Sequence, residues 1–418
     1  MSEANGARIL WQKPSTGSAP RRPLIAGCIA AAVLLIGGAT WYLTGGTDAA
    51  AFIPANARPA IRTVAISASG AHTCAVLADG SVRCWGQNLQ GALGDGTATD
   101  SRKPVVVRGV SGATAVASGF DSGCAITSGH VKCWGRHIQA PRPPQPGDPV
   151  VEGQPGRDIG LHDVPGITDA VAVSDGTLSA CAIVTGGAVK CWGIGEDGRL
   201  GNGTLTSSDA PVNVVGVTGA RAIASGLSDT CALISDGTVT CWGEYAKPNY
   251  QHSATPFTIP HLTGATAIGV GSDTFCAIVD GGAVKCWGDG GDGQFGNGQT
   301  TNPRSAAALF SVQGISDAKA IGAIDHMCVV VAGGEVKCWG RVPHHPGSDD
   351  RDHGYTPQYR PAAVPGLTDA VSVTAGGAFT CALLTSGAVT CWGRNERGWL
   401  GNGTTTDSDR PVGVTGLS

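Results

Sequence analysis

Apolar and polar positions alternate along this chain in short bursts, and the bursts come in pairs separated by a tight turn. The stretch from Thr230 to Trp242 reads TCALISDGTVTCW, with apolar residues at every second position on either side of Ser235-Asp236-Gly237. A period of two predicts half-buried strands, and a three-residue loop with Gly in its last, left-handed position predicts a hairpin. Counting back from that loop pairs Ile234 with Thr238, Leu233 with Val239 and Cys231 with Cys241. From Cys124 to Cys133 the spacing is one residue shorter, and a two-residue turn at Ser128-Gly129 restores the same pairing.

This unit recurs seven times. Its first cysteines are Cys74, Cys124, Cys181, Cys231, Cys276, Cys328 and Cys381; its second, each followed by Trp-Gly, are Cys84, Cys133, Cys191, Cys241, Cys286, Cys338 and Cys391. Successive first cysteines stand 45 to 57 residues apart, the period of four-stranded propeller blades. Before each hairpin lies a segment of small residues, such as Val64-Ala65-Ile66-Ser67 or Ala222-Ile223-Ala224-Ser225, suited to the crowded axis of a propeller. A Trp that returns once per repeat is read as packing between blades. The predicted fold is all-β, a seven-bladed β-propeller over residues 61–418.

The opposed cysteines fall at a non-hydrogen-bonded pair of the hairpin, where Cα atoms stand about 4.5 Å apart and a disulfide can close. Buried free thiols are the alternative. Fourteen cysteines in opposed pairs, without the short Cys-x-x-Cys knuckles of zinc sites, favour seven disulfides. Cys28, the fifteenth, lies in an apolar run and is read as a small apolar residue there.

Leu24 to Leu43 carries no charge, and 20 residues at about 1.5 Å each would span a hydrocarbon core of roughly 30 Å. Arg8, Lys13, Arg21 and Arg22 precede it and the next basic residue is Arg58, so the positive-inside bias puts the N-terminus in the cytoplasm. This divides the chain into a cytoplasmic tail (1–23), a transmembrane helix (24–43), a linker (44–60) and the propeller (61–418). The expected location is the cell membrane, single-pass, with the propeller periplasmic or extracellular. A cleaved signal peptide is the competing reading, and it exports the repeats equally. Charged residues are 14% and net charge is −4, so no basic excess points to nucleic acid.

Set out in this way, the repeats resemble the regulator of chromosome condensation family. The resemblance is carried by the run from Ala71 to Asn88 (AHTCAVLADGSVRCWGQN) with Gly91-Ala92-Leu93-Gly94-Asp95-Gly96-Thr97, and again by Cys391-Trp392-Gly393-Arg394-Asn395 with Gly398-Trp399-Leu400-Gly401-Asn402-Gly403-Thr404. It implies a seven-bladed β-propeller. The cysteine pairs point to a bacterial, exported branch. Guanine-nucleotide exchange on a small nuclear GTPase and chromatin binding are the activities the resemblance implies, and an exported propeller would meet neither target.

The Gly-x-Leu-Gly-x-Gly element follows the Trp in repeats one, three, five and seven, with Phe295 for Leu in the fifth. Repeats two, four and six carry irregular connections instead, at Arg136 to Asp163, Glu244 to Leu262 and Arg341 to Arg360. Equivalent places in the repeat put all three on one face of the disc. Aromatic, Arg and His side chains on loops over a rigid scaffold are what protein recognition uses. The candidate binding residues are therefore Arg136, His137, Tyr245, Tyr250, His252, His344, His345, Arg351, Tyr355 and Tyr359. His344, His345, Asp349, Asp350, Asp352 and His353 cluster in the sixth connection, but no full calcium loop follows, and no cofactor or metal is expected. No nucleophile elbow, His-Glu-x-x-His or phosphate-binding loop is present. The expected function is a non-catalytic binding module for a protein or glycan outside the cytoplasm. An enzyme would instead need a deep axial pocket with converging polar groups.

Overall fold

The structure, a computed structural model, describes residues 62–136, 160–244, 252–299, 305–343 and 355–417. Over them the chain forms seven four-stranded antiparallel sheets, each built from one consecutive stretch of sequence. The first blade is β1 (Thr63–Ser69), β2 (His72–Leu77), β3 (Val82–Gly86) and β4 (Ser101–Val106), hydrogen-bonded in that order. The innermost strands of all seven blades follow one another around the axis and close on themselves, the last against β1.

The hairpin register is the expected one. Cys231 faces Cys241 and Leu233 faces Val239, and the two-residue turn Ser128-Gly129, with φ of 50° and 80°, keeps Cys124 opposite Cys133. All seven disulfides form. In the fourth blade the Cys Cα atoms are 4.1 Å apart, closer than the generic spacing for such a pair. Seven disulfides in one propeller fit folding in an oxidising compartment, outside the cytoplasm.

Small residues let the inner strands crowd together. A Cβ on Gly322 would come within 2.7 Å of the Val373 carbonyl in the next blade. Hydroxyls bridge the same seams. The Ser118 amide donates to Ser67 Oγ at 2.9 Å, the Ser225 amide to Ser174 Oγ at 2.8 Å and the Ala68 amide to Thr374 Oγ1 at 2.8 Å. The core itself is divided into seven clusters, each filling one seam between neighbouring blades around the buried Trp of one Cys-Trp-Gly run. Burying one such side chain removes about 150–250 Å² from water, worth roughly 4 to 6 kcal/mol relative to full exposure.

The final strand belongs to the last blade. Ser408–Gly413 pairs with Val389–Gly393, so the ring closes without exchanging a strand between first and last blades. No helix of the described residues is long and apolar enough to cross a membrane, and the run at 24–43 lies outside them.

Candidate functional site

Strand alternation sorts the connections onto two faces. Turns from the innermost to the second strand, and connections from the third to the outer strand, emerge on one face, here the upper. The other turns and the blade-to-blade links emerge below. Backbone bonds tie the two upper sets together: Arg136 donates to the Asp121 carbonyl at 2.8 Å, Asp289 to Asp273 at 2.8 Å and Arg394 to Ala378 at 2.9 Å.

On this face the Gly-x-Leu-Gly element is a seam plug. The carbonyl of its second residue accepts from the indole of the next blade: Trp134 Nε1 donates to Ala92 at 2.9 Å, Trp242 to Arg199 at 3.0 Å, Trp339 to Gln294 at 2.8 Å and Trp85 to Trp399 at 3.0 Å. The Gly that ends the element rests on that indole. Gly94 has φ of 63°, and a Cβ there would come within 2.8 Å of Trp134. In blades one and seven, buried Asn88 and Asn395 knot the element. Asn88 Nδ2 donates to the Thr97 and Thr99 carbonyls at 3.1 Å each, and its Oδ1 accepts from the Leu93 amide at 2.9 Å. These residues are structural.

Blade two lacks the element, and a cavity of about 270 Å³ lies on its seam with blade three. Trp134, Trp192 and the Cys124–Cys133 disulfide line it, with Arg136, His162, Asp163 and Asp209 at its polar edge. Arg136 also stands 3.9 Å from the Asp121 carboxylate.

Two further cavities lie at the centre of the upper face. The axial one, about 120 Å³, is lined by inner turns of all seven blades, including Gly70, Phe120, Thr177, Leu227, Ile324 and Gly377. Beside it, a polar cleft of about 240 Å³ between blades five and six is lined by Asp273, Asp289, Asp292, Asp325 and Arg341. Arg341 grips Asp292 through Nε at 2.7 Å and Nη2 at 2.6 Å, and Ser272 Oγ donates to Asp325 at 2.6 Å. No group of three or more ligating side chains suited to a metal occurs among the described residues.

The candidate residues are scattered rather than gathered. Arg136 sits on the upper face at the second seam. His252 Nδ1 lies 3.1 Å from Asp197 Oδ1, while Asp197 Oδ2 takes Arg199 Nη2 at 2.9 Å, on the seam between blades three and four. Tyr355 and Tyr359 are not in a loop, because the third and outer strands of blade six extend to Val336–Pro343 and Tyr355–Ala363 and take up both ends of that connection. Tyr359 stands at the outer rim, its carbonyl accepting from Gly298 at 2.8 Å. His261, in the fourth connection, falls on the lower face, after the outer strand Ser253–Thr258. His137, Tyr245, Tyr250, His344, His345 and Arg351 lie outside the described residues.

Sequence reasoning passed over Phe120, Leu227 and Asp325. Each stands in a short turn of small residues, and a bulky or charged residue in such a turn was the available signal.

Seven disulfide-stapled blades about an axial cavity define a seven-bladed β-propeller. Models of the regulator of chromosome condensation (RCC1) repeat match residues 64–92, 265–294 and 370–398, and residues 79–126. Those stretches carry the regulator of chromosome condensation repeat. Among solved structures it is similar to a chain in the complex of Kap60 with yeast RCC1 (Prp20), at 18% identity and a TM-score of 0.65, covering 81% of this chain and 84% of that one. It is similar also to human WBSCR16, at 18% identity and a TM-score of 0.65, covering 80% and 94%. Prp20p from Saccharomyces cerevisiae, in a structure titled for its binding to Gsp1p and histones, gives 15% identity, coverage of 85% and 87% and a TM-score of 0.64.

Proposed function

We propose that this chain is a membrane-anchored, extracytoplasmic propeller that binds a protein partner through its upper face, without catalysis. One observation carries the reading. Among the described residues, the exposed large hydrophobic side chains that are Phe or Leu all belong to upper-face turns and connections: Leu89, Phe120, Leu205 and Leu227. The lower face and the lower strand ends expose only valines of this class: Val64, Val106, Val171, Val215 and Val371. Exposed apolar groups concentrated on one side of a rigid scaffold mark an interaction surface. Arg136 and His252, at the described ends of the connections of repeats two and four, add polar groups of the kind that such interfaces carry at their rim. Yeast RCC1 (Prp20), one of the similar propellers, is described bound to Kap60 and as binding Gsp1p and histones, which agrees with the same reading.

The test is cross-linking of the full chain in its native membrane, beside a Phe120→Ser/Leu227→Ser variant. Both side chains are about 40% exposed, so the variant should keep its thermal stability. The expected result is a protein adduct on the native chain that the variant loses. An identical adduct pattern on the two chains would refute the upper face as the binding surface.

A further inference from the structure

The axial cavity and the polar cleft are adjacent compartments of one depression, because Ser272, Ile324 and Asp325 line both. Their chemistry differs sharply. The axial part presents Phe120, Leu227, Val270 and Ile324 among glycines. A cavity of its size, about 120 Å³, is close to the roughly 150 Å³ that suffices for a benzene-sized group. It suits one aliphatic or small aromatic side chain. The cleft holds four carboxylates, Asp273, Asp289, Asp292 and Asp325, against the single guanidinium of Arg341. Arg341 meets Asp292 through two contacts, and one guanidinium balances only one of the four carboxylate charges. The cleft therefore carries excess negative charge in a partly enclosed space, which favours a cation and disfavours a carboxylate or phosphate.

Resting on the upper-face reading, we infer that the partner enters this depression with an extended segment that pairs a basic residue with an apolar one a few positions away. The apolar side chain fills the axial cavity between Phe120 and Leu227. The Lys or Arg lies in the cleft over Asp273, Asp289 and Asp325. Ser272 and Ile324 form the saddle between them. The acidic cleft alone would attract any cation, and the axial pocket alone any apolar group; their shared wall specifies the two together.

The experiment is selection of a random dodecapeptide library, displayed on phage, against the immobilised full chain. Phe120→Ser/Leu227→Ser and Asp273→Asn/Asp325→Asn variants serve as parallel targets. Enriched peptides are expected to carry Lys or Arg within three positions of Leu, Ile, Met or Phe. Synthetic copies should bind more weakly to either variant by about tenfold, the worth of one charged hydrogen bond or one buried apolar side chain. Raising salt should weaken binding to the native chain and have little effect on the aspartate variant. Enriched peptides with no excess of basic residues, or binding that survives the aspartate changes, would overturn the basic-segment inference. If those peptides still lose binding to the Phe120→Ser/Leu227→Ser variant, the upper-face reading stands without it. Enrichment of no peptide at all overturns this inference, while the cross-linking result decides the upper face independently.

Discussion

Asp175 shows how a single residue can set the pH response of a whole seam. It ends the innermost strand of blade three, is buried, and accepts from Ser122 Oγ of blade two at 2.8 Å. Burial pushes its carboxyl up to about 7, against the opposing pull of the Ser122 and Gly119 hydrogen bonds. The folded state thus holds this proton more tightly than the unfolded chain does. Stability from this site is full below the ordinary carboxylate range and declines as pH climbs toward about 7, where a buried charge forms. His72 and His326 act in the opposite sense. Burial brings both down to about 4, so each folds neutral and costs stability as pH falls from about 6.5 toward 4. Asp175→Asn keeps the hydrogen-bonding shape without the charge. Its melting temperature should exceed that of the native chain at pH 8, and the gain should shrink steadily as pH falls, vanishing only below the ordinary carboxylate value of 3.8; an equal gain at pH 8 and at pH 5 would mean that Asp175 is ionised throughout.

At the scale of the element, the hairpin was legible and the cavities were not, for a physical reason. Alternation, turn type and cysteine register are decided within about a dozen neighbouring residues, so TCALISDGTVTCW carries its own pairing. The axial cavity is assembled from seven short turns separated by whole blades, and neither Phe120 nor Asp325 announces its neighbours locally. The misplacement of Tyr355 and Tyr359 has the same root: strand extension in blade six depends on pairing between residues such as Val342 and Thr356, not on local pattern. The disulfide hairpins, although alike in sequence, differ in setting. Thirteen of the fourteen paired cysteines are buried, whereas Cys133 is only partly buried and lines the cavity on the second seam. Thiol attack needs access to sulfur. Limited treatment with a mild reductant, followed by alkylation and peptide mapping, should therefore label Cys124 and Cys133 first. Labelling spread evenly over the seven hairpins would remove the distinction.

For the whole molecule the closing seam is the instructive one, since the chain brings its ends together there without exchanging a strand. Five seams whose blades are joined in sequence repeat one backbone bond: Ala113 donates to Gly80, Ala170 to Gly129, Ala220 to Gly187, Ala265 to Gly237 and Ala370 to Gly334, at 2.9 to 3.1 Å. At the closing seam Thr63 donates to Gly387 at 3.2 Å, in the same relation. The Trp85 indole takes the Trp399 carbonyl, Gly403 donates to the Arg102 carbonyl at 2.9 Å, and Arg397 meets Asp100 at 3.1 Å. Non-covalent contacts at this seam therefore match those elsewhere, and chain connectivity adds only a loop-closure term that grows slowly with length. A permuted chain should fold nearly as well as the native one. It would begin at Thr218, between blades three and four, join Leu417 to Arg62 by a short Gly-Ser link, and keep residues 1–61 in front of the new start. Its melting temperature is expected within about 2 °C of the native value, a difference on the order of 1 kcal/mol for a domain of this size. A much larger drop would mean that the first and last blades cooperate through something beyond the seam contacts, and the likeness of the closing seam to the others would fail with it.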